Sequence, residues 1–266
     1  MNKKLYVVYH CTNFVPFKTF LKFLNNYRKF RPGVTHKLII CFKNLNKTER
    51  TNFKNKIKNI SYIEYIDTNK LNDFDLGSYF RIAKEYKKAI FLFLSGHCYP
   101  IKNDWLKLFK KHYRENTIIA STGSYESMHS LPFNIRNNFL KNIYFKLILL
   151  INFYKFPNPH FRTSCFMISA NNLLKYQFNS IRKKLDTNII ESGKKSLTNF
   201  FKKKNIKIYI VNSDGKLFLE KEWKHSETYA FKKQTKLIIS DNRTRKYYKL
   251  TNIEKKNKEI IVWGRN

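Results

Sequence analysis

Carboxylates are scarce in this chain: 18 Asp and Glu stand against 53 Lys and Arg, a formal net charge of +35 at pH 7 over 266 residues. Glycine is scarce too, with seven in all. None forms a GxGxxG after the first strand-like run, where His10-Cys11-Thr12-Asn13 stands instead, and GxxxxGK[ST] occurs nowhere. Dinucleotide oxidoreductases and P-loop enzymes therefore lack their phosphate cradles. Only four cysteines occur, Cys11, Cys41, Cys98 and Cys165, none at CxxC spacing. With no Cys/His cluster at ligand spacing, zinc is not expected, and the thiols read as buried and free in a reducing compartment. No run reaches the roughly 18 clean apolar residues of a membrane span. Met1-Asn2-Lys3-Lys4 leads into a strand-like run too short for a signal-peptide core, so a cytoplasmic location is expected.

The basic excess is mostly Lys, with eleven Arg, and runs from Lys3 to Arg265 among abundant Asn, Ile, Phe and Tyr. Arg is the better reader of phosphates and base edges. The excess therefore reads first as a chain-wide compositional drift over a solvated surface. An anionic membrane surface is a second reading, and nucleic acid is the least favoured partner. Phe139–Phe156 is strongly apolar but interrupted by Lys141, Asn142, Lys146, Asn152 and Lys155. It is either a core helix or a helix lying in a membrane interface with snorkelling lysines.

What is present alternates. Strands are expected at Leu5–Cys11, Lys37–Phe42, Tyr62–Ile66, Ala89–Leu94 and Thr117–Ser121, from β-branched and aromatic runs bounded by turn residues. Helices are expected at Val15–Phe30, Thr48–Ile57, Leu76–Tyr86 and Asp104–Tyr113. Strand and helix in strict alternation indicate a doubly wound, mostly parallel sheet. Beyond residue 120 the pattern loosens. A loop is expected over Thr122–Pro132, a rigid turn at Phe156–His160, a strand over Phe161–Ser169, a helix from Gly193 to Lys204, and a strand over Ile206–Val211. Asp214-Gly215 turns that strand into Lys216–Leu219, Leu237–Ser240 is a last strand, and the Lys-rich stretch 249–258 is the expected mobile tail.

The strongest local signal is Lys88–Trp105, KAIFLFLSGHCYPIKNDW. A bulky apolar run ends abruptly in Ser95-Gly96-His97. Such a run reads as a fully buried central strand, and small polar groups at its carboxyl end lie where open α/β sheets bind ligands. His97 alone also suits a structural histidine. Asp75, in Asp73-Phe74-Asp75-Leu76-Gly77-Ser78-Tyr79, suits either a helix cap or a bond to a ribose or sugar hydroxyl.

The order of elements, with Ser95-Gly96-His97 ending the buried strand and Glu191-Ser192-Gly193 about a hundred residues on, resembles the GT-A glycosyltransferases, especially the inverting enzymes of family 2. Thr122-Gly123-Ser124-Tyr125-Glu126-Ser127, Asn158-Pro159-His160-Phe161-Arg162-Thr163-Ser164, Trp223, Ser226, Thr228 and Asp241-Asn242-Arg243-Thr244-Arg245 resemble a bacterial group of such transferases. The resemblance implies a GT-A-like three-layer α/β/α fold with a mostly parallel, Rossmann-like sheet and an irregular acceptor half. It implies donor contacts from His10, Asn13, Asp75, Ser78, Ser95, Gly96 and His97. It makes Glu191 the base that deprotonates the acceptor. Glu126, His160, Arg162, Lys194 and Trp223 become candidates for acceptor or phosphate contacts, Glu126 doubling as an alternative base. The chain departs from the family where Asp-x-Asp would hold a divalent metal. Either other groups, His97 among them, bind Mg2+ or Mn2+, or Lys, Arg and His97 neutralise the diphosphate. Ser192 also replaces the Asp that normally follows the base, and Glu191 suits a cap or salt bridge near a helix start as well.

These features together imply one domain: residues 1–121 binding nucleotide-sugar, 122–248 holding acceptor and base, and 249–266 a basic tail. The implied activity is transfer of a sugar from a nucleotide-sugar donor to a glycan or lipid-linked acceptor, with inversion, in surface polysaccharide or lipopolysaccharide biosynthesis. The enzyme would be cytoplasmic or peripheral on the inner face of the cytoplasmic membrane. The alternative is a basic nucleic-acid-binding or non-catalytic α/β protein. A nucleotidyltransferase shares the layered sheet but normally needs acidic metal ligands.

Overall fold

The computed structural model describes residues 3–69, 73–130, 139–178, 181 and 183–265. In chain order the elements are β1 (Leu5–Thr12), α1 (Phe17–Lys29), β2 (Lys37–Lys43), α2 (Lys47–Lys56), β3 (Ile63–Asp67), α3 (Phe74–Glu85), β4 (Ile90–Leu94) and β5 (Tyr99–Pro100). They continue as α4 (Trp105–His112), β6 (Thr117–Ala120), β7 (Gly123–Ser124), α5 (Phe139–Asn152), β8 (His160–Phe161), β9 (Cys165–Ser169) and α6 (Ala170–Leu173). The last are α7 (Lys184–Ser192), α8 (Leu197–Lys203), β10 (Lys207–Val211), β11 (Leu217–Phe218), β12 (Ile239–Ser240), α9 (Asn242–Tyr248) and α10 (Asn252–Trp263).

The main sheet has eight strands in the order β11-β10-β6-β9-β4-β1-β2-β3. Strands β4, β1, β2 and β3 run parallel, as do β6 and β10, while β9 runs antiparallel between β4 and β6 and β11 antiparallel to β10. Both faces are covered. From β4, Phe91 and Phe93 join one apolar layer and Ile90, Leu92 and Leu94 the other. A strand sandwiched in this way has no use for polar alternation, which is why its sequence reads as a continuous apolar run. The expected three-layer, mostly parallel α/β class is the one the chain adopts.

Inserting β9 antiparallel has a consequence for the site. Its entry end, Arg162-Thr163-Ser164, lies beside the carboxyl ends of β4 and β6, and the Ser95 amide donates to the Ser164 carbonyl at 2.9 Å. The strand expected over Phe161–Ser169 is thus two strands. His160–Phe161 pairs with Gly123–Ser124, and only Cys165–Ser169 joins the main sheet.

Two further expectations need correction. The helix expected from Gly193 to Lys204 covers only Leu197–Lys203, and a separate helix, α7, precedes it, so Glu191 lies at the end of one helix instead of just before the start of another. The buried side of α7 carries Thr187, Ile190 and Ser192, of which only Ile190 is apolar, so KKLDTNIIES shows no helical period in the sequence. The stretch 249–258 is ordered for most of its length. Thr251 and Glu254 cap α10 reciprocally, and Val262 and Trp263 at its end are buried. The loop expected to Pro132 ends outside the described residues, whose last position in that segment is Ser130.

Candidate active site at the carboxyl edge of the sheet

Gly96 follows β4 because the chain there touches its neighbour. A Cβ on Gly96 would lie 2.6 Å from the carbonyl oxygen of His10, and the Tyr9 hydroxyl donates to the Gly96 carbonyl at 2.7 Å. That close approach fixes the strand ends as the wall of a cavity of about 220 Å3. Its lining includes His10, Thr12, Lys43, Asp75, Ser95, Gly96, His97 and Lys184. Five of the seven expected donor contacts, His10, Asp75, Ser95, Gly96 and His97, therefore meet in one place. Ser78 stands behind His10, and Asn13 turns toward a neighbouring cavity with Pro16 and Phe53.

Behind the cavity is an ion network that the sequence did not disclose. The buried Lys43 ammonium donates to Asp73 and lies 3.6 Å from Asp67. Arg81 bridges the two carboxylates, at 2.6 Å to Asp67 and 2.7 Å to Asp73. The Ser78 hydroxyl is committed to Asp67 at 2.5 Å, so its oxygen accepts from His10 Nε2 at 3.2 Å. Burial first, and then the Lys43 charge, push the His10 imidazole down to about 3, which leaves it neutral. Removing one member would strand a buried charge, so the network holds β1, β2, β3 and α3 in register. Asp73 is the residue before α3, but its carboxylate is spent on Lys43 and Arg81 and does not cap the helix. Asp75 lies inside the first turn. Its carboxyl is pushed up to about 6 by burial and by the charge of Glu191, against the pull of Lys184.

The second half of the site surrounds Glu191. The Thr163 amide donates to Glu191 Oε1 at 3.1 Å. Burial alone would raise this carboxyl, but Arg243, His160, Arg162 and that amide hold it below its ordinary range, so it is ionised. Arg162 is buried, ion-paired with Asp241 at 3.0 Å, and lies over the Tyr229 ring at 4.5 Å. Its Nε and Nη1 make no hydrogen bond among the described residues. Asp241 also accepts from Ser164 and from the Thr244 amide, which caps α9. His160 is buried with its Nδ1 2.8 Å from the Asn158 carbonyl, which accepts from it; burial lowers its pKa against the opposing pull of the Glu191 charge.

Another cavity, of about 450 Å3, is lined by Glu126, Tyr229, Arg243, Lys246 and Lys258 among others. Glu126 accepts from Lys258 through both oxygens at 3.1 Å. Glu191 thus connects the two cavities electrostatically: its charge acts on Asp75 in the first, and Arg243 from the second acts on it. Lys184, Arg243 and Arg245 form no ion pair among the described residues. Lys184 lies over the Phe74 ring, and Arg245 donates to the His97 carbonyl at 3.0 Å. Of the remaining expected contacts, Trp223 is fully buried, packed under Gly123, and Lys194 lies by α5, donating to the Leu150 carbonyl at 3.2 Å.

A divalent metal wants hard oxygen ligands. Among the described residues no three His, Cys, Asp or Glu side chains cluster as metal ligands. The cavity at the strand ends offers one carboxylate, Asp75, beside the cation Lys184, with Arg245 acting on His97. Such a set does not fit a bound cation and does fit an anion. Sequence reasoning missed Lys184, whose helix it did not see, and left Arg243 and Arg245 without a role. The Asp241-Asn242-Arg243-Thr244-Arg245 run was the available signal, because a capping Asp fixes where the following arginines point.

Fold and site together define a three-layer α/β protein with a polar cleft at the carboxyl edge of its sheet, bordered by cations that form no ion pair among the described residues. No family model matches the chain, and no curated protein matches it. Solved structures overlap it loosely. GalNAc-T7, solved with UDP, GalNAc and Mn2+, aligns at 13% identity over 44% of this chain and 22% of its own, with a TM-score of 0.34. A nucleotidyl transferase from Methanothermobacter thermautotroptrophicus aligns at 10% identity over 79% and 87% of the two chains, TM-score 0.43. The S. cerevisiae mannosyltransferase Ktr4p aligns at 10% over 65% and 57%, TM-score 0.39. Overlaps this loose assign neither activity nor ligand.

Proposed function

We propose that the protein is a glycosyltransferase that uses a nucleotide-sugar donor. The observation that carries this reading is the convergence of His10, Asp75, Ser95, Gly96, His97 and Lys184 on one cavity at the strand ends, with the Glu191 carboxylate held by the Thr163 amide, one residue before the Ser164 carbonyl that takes the Ser95 amide. The cavity with Ser95, Gly96, His97 and Lys184 holds the donor, its diphosphate facing Lys184 and Arg245. Asp75 accepts from a donor hydroxyl, and neutral His10 and His97 add polar contacts without opposing charge. The cavity with Glu126, Tyr229 and Arg243 holds the acceptor.

In the transfer step the acceptor oxygen bonds to the anomeric carbon as the bond from that carbon to the diphosphate breaks. The acceptor proton passes to Glu191, and the nucleoside diphosphate departs with the bonding pair. An alcohol is a weak nucleophile until a positioned base takes its proton. Attack opposite the leaving group inverts the anomeric centre. Fixed cations beside the diphosphate stabilise charge as it develops on the leaving group. The acceptor is a glycan or lipid-linked glycan of surface polysaccharide or lipopolysaccharide synthesis, reached by an enzyme resting on the inner face of the cytoplasmic membrane.

Glu191→Gln keeps shape and removes the base. Sugar transfer should fall by about two to four orders of magnitude with nucleotide binding retained. Unchanged turnover in that variant would remove Glu191 from the mechanism.

A further inference from the structure

Helix α5 is apolar on its solvent side as well as on the side that covers the core. Tyr144, Leu147 and Ile151 fall at successive spacings of three and four, on one stripe. They are 68%, 50% and 68% exposed, and Tyr154, just past the helix end, is 48% exposed. The other side carries Leu149 and Phe153, which are buried, together with Lys146, whose ammonium donates to the His129 carbonyl at 2.9 Å. The helix thus directs a lysine toward the protein and an apolar stripe toward solvent. A contiguous exposed apolar stripe marks a surface that something covers.

Charge identifies the occupant. No acidic residue stands between Glu126 and Asp186 in the sequence. Lys155 is exposed beside the stripe, and Lys194 lies over the Tyr154 ring and reaches back to the α5 carbonyl of Leu150. Lys194 also lines a cavity of about 590 Å3 that holds four more lysines, Lys175, Lys195, Lys203 and Lys204, and a single acid, Asp186. An apolar stripe with a basic flank and a lysine-lined cavity at one end has the pattern of an interfacial helix on anionic lipid. A second copy of the chain would set Lys155 and Lys194 against like charges. The helix is 14 residues long, and no helix among the described residues is long and apolar enough to cross a bilayer.

We infer that α5 is a membrane-docking helix: Tyr144, Leu147, Ile151 and Tyr154 enter the interface of an anionic phospholipid bilayer, and the lysine cavity beside Lys194 receives phosphate headgroups. The lysine cavity shares no lining residue with the two cavities of the cleft, although α7 borders both regions, so failure of this inference removes the membrane location proposed above and leaves the transfer chemistry untouched, and the converse holds.

The test is flotation of the full chain with vesicles of phosphatidylcholine alone or mixed with phosphatidylglycerol, at low salt and at about 0.5 M salt, where surface charge is screened within a few ångströms. The wild type should float with the mixed vesicles and retain part of that binding at high salt. The double variant Leu147→Glu/Ile151→Glu should bind at least about tenfold more weakly, because two aliphatic contacts with the bilayer are lost and two like charges meet the lipid. Its melting temperature should be unchanged, since both side chains are exposed. A second variant, Ile151→Trp, should show fluorescence quenched by brominated lipid. Binding that salt abolishes entirely and the double variant shares would overturn the inference, reducing the attraction to bulk charge. So would a wild-type dimer that the double variant splits, because the stripe would then belong to a second copy.

Discussion

Asp75→Asn tests the electrostatics of the donor cavity through stability alone. The Asp75 carboxyl is raised from its ordinary 3.8 to about 6, first by burial and then by the Glu191 charge. Each pH unit of raised affinity for the proton corresponds to about 1.4 kcal/mol, so the ionised form costs the folded protein about 3 kcal/mol. That figure is a ceiling, because Asp75 is only partly buried. Below about pH 4 the carboxyl is protonated in folded and unfolded chains alike, and the cost is absent. Between about pH 4 and pH 6 the unfolded chain releases the proton first, and stability falls as pH rises. Above about pH 6 the full cost is present. Asparagine has the same shape and no charge, and its carbonyl can still accept from the Leu76 amide, as Asp75 Oδ1 does at 3.1 Å. The variant should therefore match the wild type near pH 4 and exceed it by about 2–3 kcal/mol at pH 7.5. For a domain of this size that is a rise in melting temperature of roughly 5 °C. Thermal melts across that pH range measure it. A variant no more stable at pH 7.5 than the wild type, or equally shifted at both ends of the range, would refute the reasoning.

Arg162→Met should cost about 3–5 kcal/mol in urea denaturation, because Asp241 is left buried and unpaired, and adding Asp241→Asn should recover part of that loss. Gly96→Ala should destabilise by about 1–3 kcal/mol in the same assay, since its Cβ would meet the His10 backbone carbonyl and not a movable side chain; a neutral effect would mean that the strand ends are less tightly apposed than described.

The first half of the fold was legible because its signals are local. Each of the first four strands is an apolar or alternating run closed by turn residues, and the intervening helices show either an apolar period, as over Val15–Phe30, or a cap, as Asn46 before the polar second helix. Ser95-Gly96-His97 announced the cleft because the apolar run of β4 stops there. What the sequence concealed is non-local. Nothing in Cys165–Ser169 says that it inserts antiparallel between β4 and β6, yet that insertion delivers Arg162 and Thr163 to the site. Glu191 was found, but at the wrong end of a helix, because α7 buries one apolar side chain, Ile190, beside Thr187 and Ser192, and has no Ser, Thr, Asp or Asn cap before it. The Lys43, Asp67, Asp73 and Arg81 network joins positions up to 38 residues apart, and each alone reads as an ordinary surface charge. The bare lysine-rich composition of 249–258 hid a helix whose anchors, Val262 and Trp263, follow it.

Titration calorimetry with UDP-, GDP-, CMP- and dTDP-sugars, with and without Mn2+, tests the central claim most directly, with Lys184→Glu as the comparison. One donor class should bind the wild type at micromolar to low-millimolar Kd, and Lys184→Glu should weaken that binding at least about tenfold, because a cation facing the diphosphate becomes an anion. Absence of binding by every donor, or equal binding by the variant, would contradict the placement of a sugar nucleotide in this cleft.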